Sequence, residues 1–317
     1  MLFCTDTAWN RYGDDFRAAA LQLEVVVLQG DDLVSDHDLA RITIAFFSGD
    51  AWPARTARFI STCLKASSLQ WLHTFSAGVD SPVFGEFLRR GARLTNSSGS
   101  SARPIAQTVA WMILSLSRKT PDWTRAQFES RWVPHTGEEV DGKNLAVIGM
   151  GPIGIETARL GTALGMNVVG CRRTVAGDEP CETRTFDALE HLLGWADYVV
   201  LALPLTAETN GIIGAEQFAL MKPTARFINV GRGALVDEDA LVDALSSGRL
   251  AGAGLDVFAV EPLPVDSPLW QMPNVIVTPH SSGSTELADH RGALLFIDNL
   301  GRFTRGDVLR NEITPLT

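Results

Sequence analysis

The stretch Asn144-Leu145-Ala146-Val147-Ile148-Gly149-Met150-Gly151-Pro152-Ile153-Gly154 decides how the chain is read. Asp141-Gly142-Lys143 before it is a turn, Asn144–Ile148 is a short apolar strand, and the six residues from Gly149 fit G-x-G-x-x-G. Helical spacing follows through Ile155–Leu164, and a second strand begins near Asn167–Gly170. In that order each glycine has a mechanical role. Gly149 permits the tight turn, Gly151 lets a pyrophosphate approach the backbone, and Gly154 lets helix and strand pack closely. The dipole of the helix start at Pro152, and the exposed N–H groups that follow it from Ile153, then attract the diphosphate of a dinucleotide. A plain glycine-rich turn is the alternative, and the flanking elements weigh against it.

The end of the second strand addresses the ribose. An Asp or Glu about 20 residues downstream of the glycines would accept the 2′-hydroxyl and favour NAD. Here the strand runs into Cys171-Arg172-Arg173-Thr174, with no carboxylate and with two guanidiniums able to fork onto a 2′-phosphate. One unit-charge pair at about 4 Å is worth roughly 4 kcal/mol at an effective dielectric of 20, before desolvation and entropy are subtracted. The reading is NADP in preference to NAD, with NAD still possible; the alternative is two merely solvated arginines.

Outward from this core, strand-like runs alternate with helical ones. Leu23–Leu28, Ile42–Phe47 and Leu69–Phe75 read as buried strands, and Pro53–Lys65 between them as a helix. That rhythm predicts an α/β fold with parallel sheets covered on both faces. Two polar hinges, Asn96–Ser101 and Ser281–Thr285, suit connections between domains. The apolar stretch Ile105–Leu116 after the first is long enough for a crossing helix. Leu287–Phe303 after the second is helical in spacing, with Ser284 as N-cap and Glu286 in the first turn. The expected organisation is a discontinuous substrate domain, residues 1–98 plus 286–317, around a dinucleotide domain, 99–285. Both are expected to be doubly wound parallel-sheet domains, Rossmann-like or flavodoxin-like, with the active site in the cleft between them. Ser/Gly loops within a single domain are the alternative.

Composition bounds the function. The 317 residues are 45% hydrophobic and 20% charged, ordinary values for a globular chain, and 27 Lys+Arg against 37 Asp+Glu leave a net charge of −10. So acidic a surface repels phosphate backbones, so no nucleic-acid partner is expected, and any anion must be captured by a local positive cluster. No apolar run approaches the roughly 20 residues that span a bilayer, and MLFCTDTAWN lacks the look of a secretory signal. Cys4, Cys63, Cys171 and Cys181 lack metal or disulfide-framework spacing, which points to no metal and a reducing cytoplasm.

Three charged residues follow strand-like runs. Arg232 lies in Asn229-Val230-Gly231-Arg232-Gly233 after Ala225–Ile228; Glu261 ends Leu255-Asp256-Val257-Phe258-Ala259-Val260-Glu261; His280 follows Val275-Ile276-Val277-Thr278-Pro279. Each alone reads as a surface arginine, a solvated glutamate or a hydrogen-bonded histidine. Together they offer a cation, a carboxylate and an imidazole at strand ends, where open α/β sheets bind ligands.

At this point the chain resembles the D-isomer-specific 2-hydroxyacid dehydrogenase family. The resemblance covers essentially the whole chain and is carried by GMGPIG, LPLTAET (Leu203–Thr209), INVGRGALVDEDAL (Ile228–Leu241), GLDVFAVEPLP (Gly254–Pro264) and SPLW…NVIVTPH (Ser267–His280). The DSPLW run and the arginine pair are most similar to the glyoxylate/hydroxypyruvate reductase branch. The resemblance implies NADPH-dependent reduction of short 2-oxoacids to D-2-hydroxyacids. Arg232 would bind the substrate and polarise its carbonyl, His280 would donate and remove the proton, and Glu261 would hold the imidazole. Ser76-Ala77-Gly78-Val79-Asp80 matches the substrate-carboxylate loop, with the Ala77 and Gly78 amides facing the anion. Asp256 would lie near the nicotinamide carboxamide, Val230 would make a backbone contact, Pro204 would border the adenosine, Thr209 would also bind the cofactor, and Ser282 would cover the nicotinamide end.

The resemblance also implies a homodimer joined through the nucleotide domains by the Ile105–Leu116 helix. Gln107 stands where many relatives carry Glu, and nothing in the sequence explains it. Trp132 aligns loosely with a tryptophan that reaches a neighbouring subunit's active site, although an interface or core role is the commoner fate of such a residue. His37, His73, His135, His191 and His290 read as structural or exposed. Two other functions stay open: a redox-sensing, dinucleotide-binding corepressor and a short phosphoglycerate dehydrogenase.

Overall fold

The computed structural model describes residues 1–30 and 32–313, and the chain divides into two compact units, Met1–Ser101 with Ser284–Thr317, and Ala102–Gly283. In the first unit, strands β1 (Leu2–Thr5), β2 (Val25–Leu28), β3 (Ile44–Phe47), β4 (Trp71–Thr74) and β5 (Arg93–Asn96) pair in parallel in the order β2-β1-β3-β4-β5. This is the flavodoxin-like order. In the second unit, β6 (Asn144–Ile148), β7 (Asn167–Cys171), β8 (Glu182–Arg184), β9 (Tyr198–Leu201), β10 (Arg226–Asn229), β11 (Gly252–Leu255) and β12 (Val275–Val277) form a parallel sheet ordered β12-β11-β10-β9-β6-β7-β8. Counted within the unit, that is the dinucleotide-fold order 3-2-1-4-5-6 with one further edge strand. Both sheets are the doubly wound parallel architecture expected from the βα rhythm.

Alternation along each strand builds a core on both faces of each sheet. In the first unit, Phe3, Ala45, Phe47, Leu72 and Leu94 pack to one side. Leu2, Cys4, Ile44, Phe46 and Trp71 pack to the other, against the aromatic ring of Phe296 from helix Glu286–Arg305. In the second, Ala146, Ile148, Val199, Leu201 and Phe227 face one cluster, and Leu145, Val147, Tyr198, Val200 and Ile228 the other. Helix Ala102–Ser117 closes this second face: Val109, Met112, Ile113 and Leu116 are buried while Trp111 and Leu114 are exposed.

Several boundaries differ from expectation. The strands are shorter than the apolar runs that announce them, because Leu23, Ile42 and Leu69 sit in the connections. Helix Thr56–Lys65 starts three residues after Pro53. The C-terminal helix begins at Glu286 and its N-cap is Thr285, whose hydroxyl accepts the Ala288 N–H at 3.2 Å; Ser284 lies one residue outside. The reason is geometric: a side-chain cap must sit three residues before the amide it satisfies. Strand β1, inside the sheet between β2 and β3, and helix Asp6–Ala19, capped by Thr5 on Ala8, were not anticipated at all.

Candidate active site

In the second sheet the strand order reverses between β6 and β9, the position where α/β folds open a crevice beyond the strand ends. The glycine turn lies there. Gly149 has φ +109°, and a Cβ on it would stand 2.5 Å from the Ala202 carbonyl oxygen beyond β9. A Cβ on Gly154 would stand 1.9 Å from the Gly149 carbonyl oxygen, so that glycine lets the first helical turn seat on the loop. Gly151 differs: its missing Cβ would face open space, with nothing within 4 Å. It is the N-cap of helix Pro152–Ala163 and offers no side-chain cap, which leaves the helix's leading amides to whatever anion approaches. The cradle fits a diphosphate.

Beside it opens a cavity of ≈ 430 Å³ lined by Gly149, Gly151, Arg172, Arg173, Pro204 and Thr209. Thr209 closes its own loop, its hydroxyl donating to the Pro204 carbonyl at 2.7 Å. Ile153 is half-buried, its side chain packed against the core. The arginine corner carries a correction. Carboxylates do reach it: Arg172 pairs with Glu179 at 2.8 Å, and Arg173 pairs with Glu208. Glu179 also accepts the Ala176 and Gly177 amides at 2.7 and 2.8 Å. Those backbone donors, together with Arg172, pull its pKa down to about 2. Glu179 lies in the turn Gly177-Asp178-Glu179-Pro180 and Glu208 in the LPLTAET run; nothing local to either signals its arginine partner.

At the other end of the sheet, His280 Nδ1 lies 2.7 Å from Glu261 Oε2, and the other oxygen of Glu261 accepts the Phe258 amide at 3.0 Å. Glu261 is thereby held from two directions. His280 has φ +50°, a left-handed conformation uncommon outside glycine, and its amide donates to the Asp256 carbonyl at 2.8 Å. Asp256 organises the segment that follows. Fully buried, its carboxylate accepts the Thr278 hydroxyl at 2.6 Å, the Ser281 and Ser282 amides at 3.0 and 3.1 Å, and the Ser282 hydroxyl. The Thr108 hydroxyl in turn donates to the Ser282 carbonyl at 3.3 Å. Thr278, missed by the sequence reading, is the link between β12 and this carboxylate.

Arg232 follows β10 in a loop tied by Asn229, whose Oδ1 accepts the Gly231 amide and whose Nδ2 donates to the Arg232 carbonyl, both at 3.0 Å. The Val230 amide is spent on the Leu201 carbonyl at 3.1 Å, so only its carbonyl remains for a backbone contact. A Cβ on Gly233 would stand 1.9 Å from the Phe258 carbonyl. The Arg232 loop therefore lies directly on the segment that leads to Glu261. In the first unit, Ala77 and Gly78 follow β4, with Ala77 exposed and Gly78 half-buried. Of the two roles open to Trp132 the core one falls, because the residue is 96% exposed, and Gln107, which nothing in the sequence explains, is solvent-facing.

The model of the D-isomer specific 2-hydroxyacid dehydrogenase NAD binding domain matches residues 110–282. A glyoxylate/hydroxypyruvate reductase B of Pectobacterium carotovorum subsp. carotovorum is 36% identical over 262 residues, 79% of this chain and 80% of the relative. A D-isomer specific 2-hydroxyacid dehydrogenase from Xanthobacter autotrophicus Py2, solved with NADPH and MES, superposes with TM-score 0.79 at 32% identity and covers 99% of both chains. A D-lactate dehydrogenase of Aquifex aeolicus, solved with NAD and lactic acid, gives TM-score 0.78 at 25% identity over 100% of both. Similar structures thus carry either nicotinamide coenzyme. With the strand order, the glycine turn and the coverage of these matches, the chain belongs to the D-isomer-specific 2-hydroxyacid dehydrogenase family.

Proposed function

We propose that the protein reduces short 2-oxoacids of the glyoxylate/hydroxypyruvate type to D-2-hydroxyacids, with NADPH preferred over NADH. The observation that carries this reading is the His280–Glu261 pair at 2.7 Å, beside the Arg232 loop that packs on the Phe258 backbone. Glu261 accepts from Nδ1, so the imidazole's free edge is Nε2. In its protonated form that nitrogen donates to the substrate's carbonyl oxygen during reduction, and it takes the proton back during oxidation. Arg232 binds the 2-oxoacid and stabilises negative charge growing on the carbonyl oxygen. The amides of Ala77 and Gly78 take the substrate carboxylate. When bound, the nicotinamide coenzyme supplies the hydride that reduces the carbonyl carbon.

The residues that would hold the coenzyme are the Gly149–Gly154 turn with Pro152 and Ile153 for the diphosphate, Arg172 and Arg173 for a 2′-phosphate, and Pro204 and Thr209 at the adenosine. Val230, Asp256 and Ser282 would serve the nicotinamide end. In this reading residues 99–285 serve the dinucleotide and 1–98 with 286–317 the substrate. The exposed Trp111 and Leu114 on helix Ala102–Ser117 support a homodimer joined there. No helix among the described residues is long and apolar enough to cross a membrane.

The test is kcat/KM for glyoxylate, hydroxypyruvate, pyruvate and phenylpyruvate with each coenzyme, for the natural chain and for His280→Ala. Removing the acid–base group lowers kcat by about a hundredfold or more, with coenzyme affinity unchanged. Turnover surviving within a few-fold removes His280 from the chemistry. Tight coenzyme binding without turnover of any 2-oxoacid points instead to a redox-sensing protein.

A further inference from the structure

The first unit contains a buried polar chain that the proposed chemistry does not use. Trp71 Nε1 donates to Thr95 Oγ1 at 2.9 Å, Thr95 Oγ1 lies 2.7 Å from His73 Nδ1, and His73 Nε2 lies 3.0 Å from Ser97 Oγ. The Ser97 hydroxyl donates to the Thr74 carbonyl at 3.0 Å. Its only proton is committed, so His73 Nε2 must carry the donor and Nδ1 must accept from Thr95. Burial pushes the imidazole down to about 3, which keeps it neutral. Every group in the chain is satisfied in one direction, and the carboxyl ends of β4 and β5 are locked together.

That lock determines where the next peptides point. The Ser97 amide donates to the Ser76 carbonyl at 3.0 Å, and Asn96 Nδ2 donates to the Ala77 carbonyl at 2.5 Å. Both peptide bonds are trans, and in a planar trans peptide the N–H points opposite to the C=O. With both oxygens turned toward β5, the amides of Ala77 and Gly78 face away from it, side by side. Neither amide has a hydrogen-bond partner among the described residues. Adjacent outward amides of this kind form a small anion-binding concavity. Asn96 is itself oriented: Oδ1 accepts the Ser98 amide at 3.1 Å, which leaves only the NH₂ to face Ala77.

We infer that Asn96 is a positioning residue for 2-oxoacid recognition, holding the Ala77 carbonyl so that the Ala77–Gly78 amides present themselves to the substrate's carboxylate. The inference rests on the reading that those amides bind the substrate. Asn96→Ala raises KM for the 2-oxoacid about three- to tenfold, the worth of one such hydrogen bond, while kcat and KM for the coenzyme stay within about twofold. Asn96→Asp, isosteric but without a donor, raises it at least as far. Wild-type KM in both variants, or an equal rise in the coenzyme's KM, overturns the assignment.

A second measurement needs no variant. Oxamate added to the enzyme–coenzyme complex shifts the Ala77 and Gly78 amide resonances of the natural protein, and unmoved resonances overturn the aiming of the loop. His280→Ala, run in parallel, separates the two levels. If it keeps turnover, the proposed chemistry falls and this inference with it. If it is inactive and the Asn96 variants bind substrate normally, only the role of Asn96 falls.

Discussion

Gly154→Ala offers the sharpest test of the coenzyme cradle. The added Cβ would stand 1.9 Å from the Gly149 oxygen, 2.9 Å from the Gly149 carbonyl carbon and 3.3 Å from Val147 Cγ1. Carbon and oxygen approach to about 3.3 Å in folded chains, so the turn or the helix must retreat by roughly 1.4 Å. The two nearest obstacles are backbone atoms. Overpacking of this kind costs about 1–3 kcal/mol, which in a unit of this size lowers Tm by about 2–12 °C. The same displacement moves the amides that meet the diphosphate, and a misplacement of about 1 Å can cost about a hundredfold in rate. The paired measurements are thermal melting and kcat/KM for NADPH at saturating 2-oxoacid. Gly151→Ala is the control: with nothing within 4 Å of its Cβ, it costs the fold no more than about 1 kcal/mol, the difference between glycine and alanine at an N-cap, but still weakens the coenzyme. A Gly154→Ala protein with natural melting and natural kcat/KM refutes the close seating of helix on loop. One that melts early yet keeps its coenzyme kinetics refutes the cradle.

Replacing both guanidiniums, Arg172→Asp with Arg173→Ala, raises KM for NADPH tenfold or more, about 1.4 kcal/mol, and leaves KM for NADH within about twofold; equal effects on both coenzymes remove the 2′-phosphate reading. His73 makes stability depend on pH. Its folded pKa of about 3 lies below the unfolded value near 6.5, so the unfolded chain binds the extra proton between them. That contribution to stability is complete above about pH 6.5 and is lost as pH falls toward 3, with a slope of at most about 1.4 kcal/mol per pH unit. Imidazole nitrogen resonances of the folded protein at pH 5 check this directly: His73 is neutral with its proton on Nε2, and an imidazolium there refutes the buried relay.

The parts readable from the residues alone were those governed by short-range spacing. Strand Asn144–Ile148, the turn through Gly151 and the helix from Pro152 follow from apolar period and glycine placement within a dozen residues. The parallel doubly wound class follows from the alternation of such units. Strand β1 escaped because Leu2–Thr5 is four residues long and becomes recognisable only when flanked by β2 and β3. Thr285 displaced Ser284 as N-cap because two adjacent hydroxyls compete for one role and backbone direction selects between them. The ion pairs of Arg172 with Glu179 and of Arg173 with Glu208 span 7 and 35 residues, beyond the reach of any local pattern. The same holds for Asn96, whose partner Ala77 is 19 residues away, and for His73, whose neighbours arrive on an adjacent strand. Sequence spacing determines which backbone shape each segment adopts, because dihedral preference and side-chain period act over a few residues. Which oxygen a side chain finally meets is decided only when distant strands close into a sheet, because that meeting depends on register and not on neighbourhood.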